Sequence, residues 1–138
     1  MTNSLDSDLI GAGLDSHLSF RWDHVSGDGS RASFTVAPEH HQPFGIVHGG
    51  VHCALVESLA SMSAAQWLQD QGLPPRVVGV NNSTDFLKAV SEGDVTGQAT
   101  PIHRGRSQQL WQVDITDGDG RLVAQGRVRL QNLDQPGR

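Results

Sequence analysis

The feature that most constrains this chain is the run HGGVHCALVESLASMSAAQWLQDQ, residues 48–71, which carries a single charged side chain, Glu57, before Asp70. His48 opens the run. Gly72 and then Leu73-Pro74-Pro75 close it, the stop expected of a helix that ends on a glycine and cannot continue through proline. A helix that is apolar nearly all round is buried nearly all round, so the rest of the chain must wrap it.

The rest reads as strand. His17–His24 and Arg31–Ala37 alternate apolar with polar residues (Leu18, Phe20, Trp22; Ala32, Phe34, Val36) on either side of the turn cluster Ser26-Gly27-Asp28-Gly29-Ser30, which predicts a hairpin. Residues 38–47 read as loop. After the prolines come Arg76–Phe86, Asp94–His103, Gln108–Thr116 and Leu122–Leu130, the last two joined by Asp117-Gly118-Asp119-Gly120, a strong hairpin signal. Two strands, a long helix and four strands describe an α+β chain. A six-stranded antiparallel sheet wrapped around the one central helix buries a single sheet face and satisfies this order.

With 138 residues there is room for one domain, and 36% hydrophobic residues plus 16 Gly reach the ordinary globular share of apolar and glycine residues. The expected division is an N-terminal extension or short helix over 1–14, a domain over 15–132 and a disordered tail over 133–138. Asn3 and Ser4 are candidate caps for a helical turn over 3–10, with Leu5, Leu9 and Ile10 on one face. The net charge of −5 argues against nucleic acid as a partner. Cys53 stands alone, which excludes an intrachain disulfide and suits a reducing compartment. The N-terminus lacks the basic and apolar regions of a secretory signal, and no apolar stretch is long enough to span a bilayer. A cytoplasmic protein that does not engage membranes is expected.

The long helix carries the chemistry. A buried carboxylate is costly unless paired and is pushed toward the range useful for acid–base or nucleophilic work, so Glu57 is a candidate catalytic group. The plainer reading is that Glu57 pairs with a basic residue or caps a neighbouring backbone group. Gly49-Gly50, at the start of the helix, presents N–H groups bare of side chains that can polarise a carbonyl oxygen; the plainer reading is close packing of the helix start on a strand. Gly49 and Glu57 are eight residues apart, about 12 Å along one helix. They cannot act on the same carbonyl within one chain. Two copies packed with antiparallel helices would bring Gly49 of one opposite Glu57 of the other, so a catalytic reading requires a homodimer.

The run Gln42-Pro43-Phe44-Gly45-Ile46-Val47-His48-Gly49-Gly50, followed by Glu57 and Ser61, resembles the signature of hotdog-fold acyl-CoA thioesterases. It is most similar to the group that includes the 4-hydroxybenzoyl-CoA, menaquinone-pathway and enterobactin-proofreading enzymes. Gly79, the segment Ile102–Arg106, Leu110–Val113 and Gly120-Arg121-Leu122 extend the resemblance over residues 15–130. The resemblance implies hydrolysis of an aromatic or medium-chain acyl-CoA, without a metal or added cofactor, by dimers that assemble into tetramers. It implies that the Gly49 N–H polarises the thioester carbonyl, that His48 positions the loop, and that Glu57 of the other chain attacks or activates water. Gln42 and Ser61 would orient thioester and water. Contacts to CoA would fall on Gly79, on Phe86, Leu87, Lys88 and Ala89, and on His103, Arg104, Gly105, Arg106, Ser107 and Gln108. Arg104, Arg106 and Lys88 suit phosphate, although Arg104 and Arg106 could equally be a solvated hairpin tip. Phe86 departs from relatives that carry His before the Leu-Lys-like segment, which implies a more apolar channel.

Other chemistries fare less well. His48 and His52 have the i,i+4 spacing of zinc ligands, with His40-His41 upstream, but the run lacks the glutamate of H-E-x-x-H and a third ligand at helical spacing. Cys53 has no cation near it in sequence and reads as a small apolar residue. A hydratase of this fold would want an Asp and His pair. A non-catalytic acyl-CoA binding module would need no buried carboxylate.

Overall fold

The computed structural model describes residues 5–137. In chain order it contains α1 (Leu14–His17), β1 (Arg21–His24), β2 (Arg31–Thr35), a 3-10 turn (Pro38–His40), α2 (Gly49–Asp70), β3 (Val77–Phe86), β4 (Asp94–Arg104), β5 (Gln108–Thr116) and β6 (Leu122–Asn132). The strands form one antiparallel sheet in the order β1-β2-β4-β5-β6-β3. The expected hotdog architecture of six strands around one helix is therefore present.

Leu55, Val56, Leu59, Ala60 and Ala64 of α2 are fully buried, together with Phe34, Val95, Trp111, Val113, Ile115 and Val128 from the concave face of the sheet. Each large side chain in that layer contributes about 1.5–3 kcal/mol through burial. Gly97 sets how closely the helix approaches, because a Cβ there would stand 2.5 Å from Leu59 Cδ1. At the far end of the helix a buried polar chain closes the core. Trp111 Nε1 donates to Gln109 Oε1, Gln109 Nε2 donates to Asn132 Oδ1, and Asn132 Nδ2 donates to the carbonyls of Gly105 and Arg106. The β4–β5 turn is thereby tied to the core beneath it.

The N-terminal turn lies later than expected. Gly11 and Gly13 take positive φ of 78° and 65°, which ends any helix begun upstream, and α1 starts directly after them. Asn3 and Ser4 lie outside the described residues. Ser19, with φ 57°, turns the chain again, so β1 begins at Arg21 rather than His17. Within the C-terminal segment expected as a disordered tail, Leu133 N–H donates to Arg76 O and Gln135 Nε2 donates to Pro74 O. Residues 133–135 therefore lie along the loop that precedes β3. Among the described residues no helix is long and apolar enough to cross a membrane.

Candidate active site

His48 is the N-cap of α2. Its φ and ψ of −62° and 133° are extended, and its Nδ1 accepts the Gly50 N–H at 2.7 Å, which places the proton on Nε2 when the ring is neutral. A Cβ on Gly50 would stand 2.9 Å from that nitrogen, so the second glycine of the pair makes room for the cap. The Gly49 N–H, one residue earlier, has no partner among the described residues and remains available to a ligand oxygen.

Gly49 lines a cavity of about 370 Å³ together with Gln42, Phe86, Leu87, Lys88 and Ala89, which brings the expected loop and strand contacts to one place. Gln42 Oε1 accepts the Phe44 N–H, which leaves the amide NH2 free to donate. The Phe86 ring covers Gly49: a Cβ on Gly49 would stand 2.8 Å from two of its carbons. His52, one turn further along the helix, lines the same cavity, with its ring centroid 6.1 Å from that of Phe86.

Glu57 lines a second cavity, of about 630 Å³, with Gly50, Cys53, Ser58, Ser61 and Asn82. Contrary to expectation its side chain is exposed in the single chain rather than buried. The reason is the rotation of α2. Leu55, Val56 and Leu59 turn into the sheet, and the stripe Gly50, Cys53, Ala54, Glu57, Ser58, Ser61, Met62 turns away from it. That outward stripe is small and weakly polar, which is why the helix looked apolar all round in sequence.

Asn82 of β3 reaches Glu57. Its Nδ2 lies 3.1 Å from Cys53 O and 3.4 Å from Glu57 Oε1, and Thr84 Oγ1 donates to its Oδ1 at 2.7 Å. The Glu57 carboxyl also rests on Gly79, whose absent Cβ would stand 3.3 Å from Glu57 Cδ. Asp15 of α1 lines the same cavity; Ser58 Oγ donates to it at 2.5 Å, and burial raises its carboxyl above the ordinary value against the effect of that bond. Neither Asn82 nor Asp15 stands out in sequence, because each acquires its role only from the approach of β3 and α1 to the outer stripe of α2.

The remaining expected contacts lie elsewhere. Arg104 Nη1 donates to Gly27 O at 2.8 Å and pairs with Asp28 at 3.0 Å, while its guanidinium stacks over Trp67 near the C-terminal end of α2. Lys88, by contrast, lines the Gly49 cavity and also pairs with Asp117 at 3.7 Å. Arg106, Ser107, Gln108 and His103 are exposed at the β4–β5 turn, with Gly105 donating to Gln108 O to close it. This turn lies beside Trp67, eighteen residues and about 27 Å of helix from Gly49, so no one chain joins it to the Gly49 cavity.

The histidines do not converge. His48 caps the helix, His52 enters the core, and His40 accepts the Ala37 N–H with Nδ1 and donates to Leu18 O with Nε2. Among the described residues no three His, Cys, Asp or Glu side chains are grouped to hold a metal ion.

The sequence pattern of the family described as Thioesterase superfamily matches residues 44–124, which include the N-cap, the two glycines, Glu57 and Asn82. The chain belongs to the thioesterase superfamily. This hotdog thioesterase is 53% identical over 121 residues to Mycobacterium tuberculosis Rv1847, named as an esterase, a match covering 88% of this chain and 86% of the relative. The structure of that relative superposes with a TM-score of 0.83, covering 87% of this chain and 95% of the other. The thioesterase is also 35% identical to the proofreading thioesterase EntH of Cronobacter turicensis, over 91% of this chain and 88% of that one. It is 35% identical to the 1,4-dihydroxy-2-naphthoyl-CoA hydrolase of Escherichia coli, over 80% of this chain and 79% of that one. The chain is thus an enzyme of thioester hydrolysis.

Proposed function

We propose that this thioesterase hydrolyses an acyl-CoA to the free acid and CoA at sites shared between two copies of the chain. The observation that carries this reading is the separation of the two reactive elements. The unpaired Gly49 N–H and the Glu57 carboxylate line different cavities of one molecule, about 12 Å apart along α2. Antiparallel packing of two α2 helices along their weakly polar outer stripes places Gly49 of one chain opposite Glu57 of the other, twice per dimer. The expected tetramer would pair two such dimers.

At each site the thioester oxygen accepts the Gly49 N–H, aided by the positive end of the helix. Glu57 attacks the carbonyl carbon to give an acyl anhydride that a water then cleaves to the free acid, or it takes a proton from a water that attacks the carbonyl directly. Electrons flow to the oxyanion and then expel the CoA thiolate, which leaves with a proton. Gln42, through its free amide, and Ser61, four residues from Glu57, orient thioester and water. Lys88 and Arg106 serve the phosphates of CoA. Arg104, which pairs with the exposed carboxylate of Asp28, is a third candidate for them. The name of the E. coli relative, a CoA thioester hydrolase, supports this substrate class.

The test is a panel of aromatic and aliphatic acyl-CoAs assayed with a thiol-detecting reagent on wild type and Glu57→Ala. Loss of turnover on every accepted substrate is expected. Unchanged turnover in the variant rules out the mechanism.

A further inference from the structure

Two polar groups on the outer side of α2 are half-satisfied within one chain. His48 spends Nδ1 on the Gly50 N–H, so the neutral ring carries its proton on Nε2, and among the described residues that N–H has no acceptor. Asp15 accepts the Ser58 hydroxyl at 2.5 Å with Oδ1, and among the described residues no donor meets its Oδ2. Asp15 is half-buried, and burial raises its carboxyl above the ordinary value, as expected of a carboxylate that has lost water and gained a single hydrogen bond. A carboxylate so placed calls for a second donor. In its own cavity Ser58 is already bonded to it, the Asn82 amide is turned to Cys53 O and Glu57 Oε1, and no cationic side chain lines the walls.

The register of the shared site brings the two groups together. With Gly49 of one chain opposite Glu57 of the other, antiparallel helices advance along one chain as they retreat along its partner. His48, one residue before Gly49, therefore lies level with Ser58 of the other chain, one residue after Glu57. Both belong to the face that meets the partner. Ser58 lines the Glu57 cavity, and the His48 ring lies over Gly50, the first residue of the outer stripe, where an added Cβ would stand 2.9 Å from Nδ1 and 3.1 Å from Cε1. Glu57 is drawn toward β3 by Asn82 and Gly79, whereas Ser58 is turned toward α1 and Asp15. Asp15 is thus the carboxylate that the His48 ring of the other chain meets.

We propose that Asp15 is a positioning residue that acts across the dimer: its free carboxylate oxygen accepts the Nε2–H of His48 in the other chain and so fixes the helix cap that aims the Gly49 N–H. The inference rests on the shared-site reading above and deepens it. A carboxylate on Nε2–H holds the ring in the tautomer that the cap requires. It also makes Nδ1 a stronger acceptor for the Gly50 N–H, because hydrogen bonds in series reinforce one another. The polarising N–H is thereby set only once two chains have met, and each chain supplies both Glu57 and the brace for the other's oxyanion donor.

The experiment is a double-mutant cycle on kcat and KM for an acyl-CoA that wild type hydrolyses, comparing wild type, Asp15→Ala, His48→Asn and the double variant, with the dimer followed by light scattering. Asparagine at position 48 is a favoured N-cap that still accepts the Gly50 N–H but is too short to reach Asp15. Asp15→Ala should lower kcat roughly tenfold with KM little changed when His48 is present, and by less than about twofold in the His48→Asn background, as expected for a lost bond to a charged acceptor. Asp15→Asn, which keeps an oxygen for Ser58, should give about a threefold loss in the first background and none in the second, and serves where the alanine variant does not fold. A second readout needs no turnover: in protein carrying isotope-labelled histidine, the Nε2–H resonance of His48, assigned by its absence in His48→Asn, should be protected from exchange in wild type and lost to solvent in Asp15→Ala while the dimer persists. Equal factors in the two backgrounds, a rise in KM with kcat intact, or a resonance equally protected in Asp15→Ala overturns the role of Asp15 and leaves the acyl-CoA reading standing. Wild type that hydrolyses no acyl-CoA, or does so as a monomer, overturns the shared-site reading and this inference with it.

Discussion

The carboxyl carbon of Glu57 stands 3.3 Å from the point where Gly79 would carry a Cβ, and both carboxylate oxygens stand 3.5 Å from it. Gly79 sits at the irregularity where β3 slips its register against β6, and its bare Cα forms the floor on which the carboxylate rests. Gly79→Ala therefore displaces the carboxylate by a few tenths of an ångström, and Gly79→Val by more. Turnover should fall about tenfold and about a hundredfold respectively, since small misplacements of a reacting group are costly. The melting temperature should hold or rise, because β-branched residues suit a strand. Full activity in Gly79→Val would show that the carboxylate does not act from this position.

The backbone donor can be removed without breaking the helix. Gly49 is the first residue of α2, where proline is well tolerated, and His48 already has the extended conformation that must precede proline. Gly49→Pro deletes the N–H, and Gly49→Ala adds a similar bulk against Phe86 while keeping it. Steady-state assays should show roughly a 10²–10³-fold loss of kcat in the proline variant and a much smaller loss in the alanine variant. Equal losses would assign the effect to Phe86 and not to the N–H.

If sites are shared, two dead variants should complement. Gly49→Pro and Glu57→Ala, unfolded together and refolded at equal concentration, form about half heterodimers, each with one site intact and one doubly defective. About a quarter of wild-type activity should return. No recovery, despite exchange shown by differential tagging, would place both groups in one chain.

Asn82 and Thr84 hold Glu57 from the side of the sheet. The Thr84 hydroxyl fixes which end of the Asn82 amide faces the carboxylate, so that Nδ2 meets Glu57 Oε1 and Cys53 O. Asn82→Ala should lower kcat roughly tenfold with KM little changed, as expected for loss of a bond to a charged group. Asn82→Asp, which turns a negative oxygen toward the carboxylate, should lower it further. A rise in KM with kcat intact would make Asn82 a substrate contact instead.

The fold was legible because its signals are local. The periodicity of 31–37, the glycine and proline punctuation at 72–75 and the Asp-Gly turn at 117–120 need no knowledge of the rest of the chain. The long strands and α2 accordingly fall within two residues of expectation. The site was legible in part: Gly49 and Gln42 line one cavity, and His48 caps Gly50 beside it, because they are near neighbours in sequence. The rotation of α2 about its own axis was not legible. It decides that Glu57 faces outward and that His52 faces the core, and it is set by packing against Trp111, Val113 and Val128 from distant strands. The same rotation brings Asn82 and Gly79 to Glu57 and Phe86 to Gly49, pairs separated by 22–37 residues. Such meetings leave no spacing for a sequence to display.

Burial of His52 also gives stability a pH dependence of definite sign. In the unfolded chain its imidazole titrates near 6.5, and in the folded chain near 4, because burial disfavours the charged ring; Lys88 is the charged side chain that lines the same cavity. Between these values the unfolded chain binds a proton that the folded chain refuses. Stability present above about pH 6.5 is therefore lost as pH falls, by about 2 kcal/mol at pH 5 from this residue. The other histidines are common to wild type and variant, so His52→Leu isolates the contribution. Urea unfolding at pH 7.5 and at pH 5 should show wild type losing about 2 kcal/mol more than the variant over that interval. Equal losses in the two proteins would mean that the ring is not held neutral by burial.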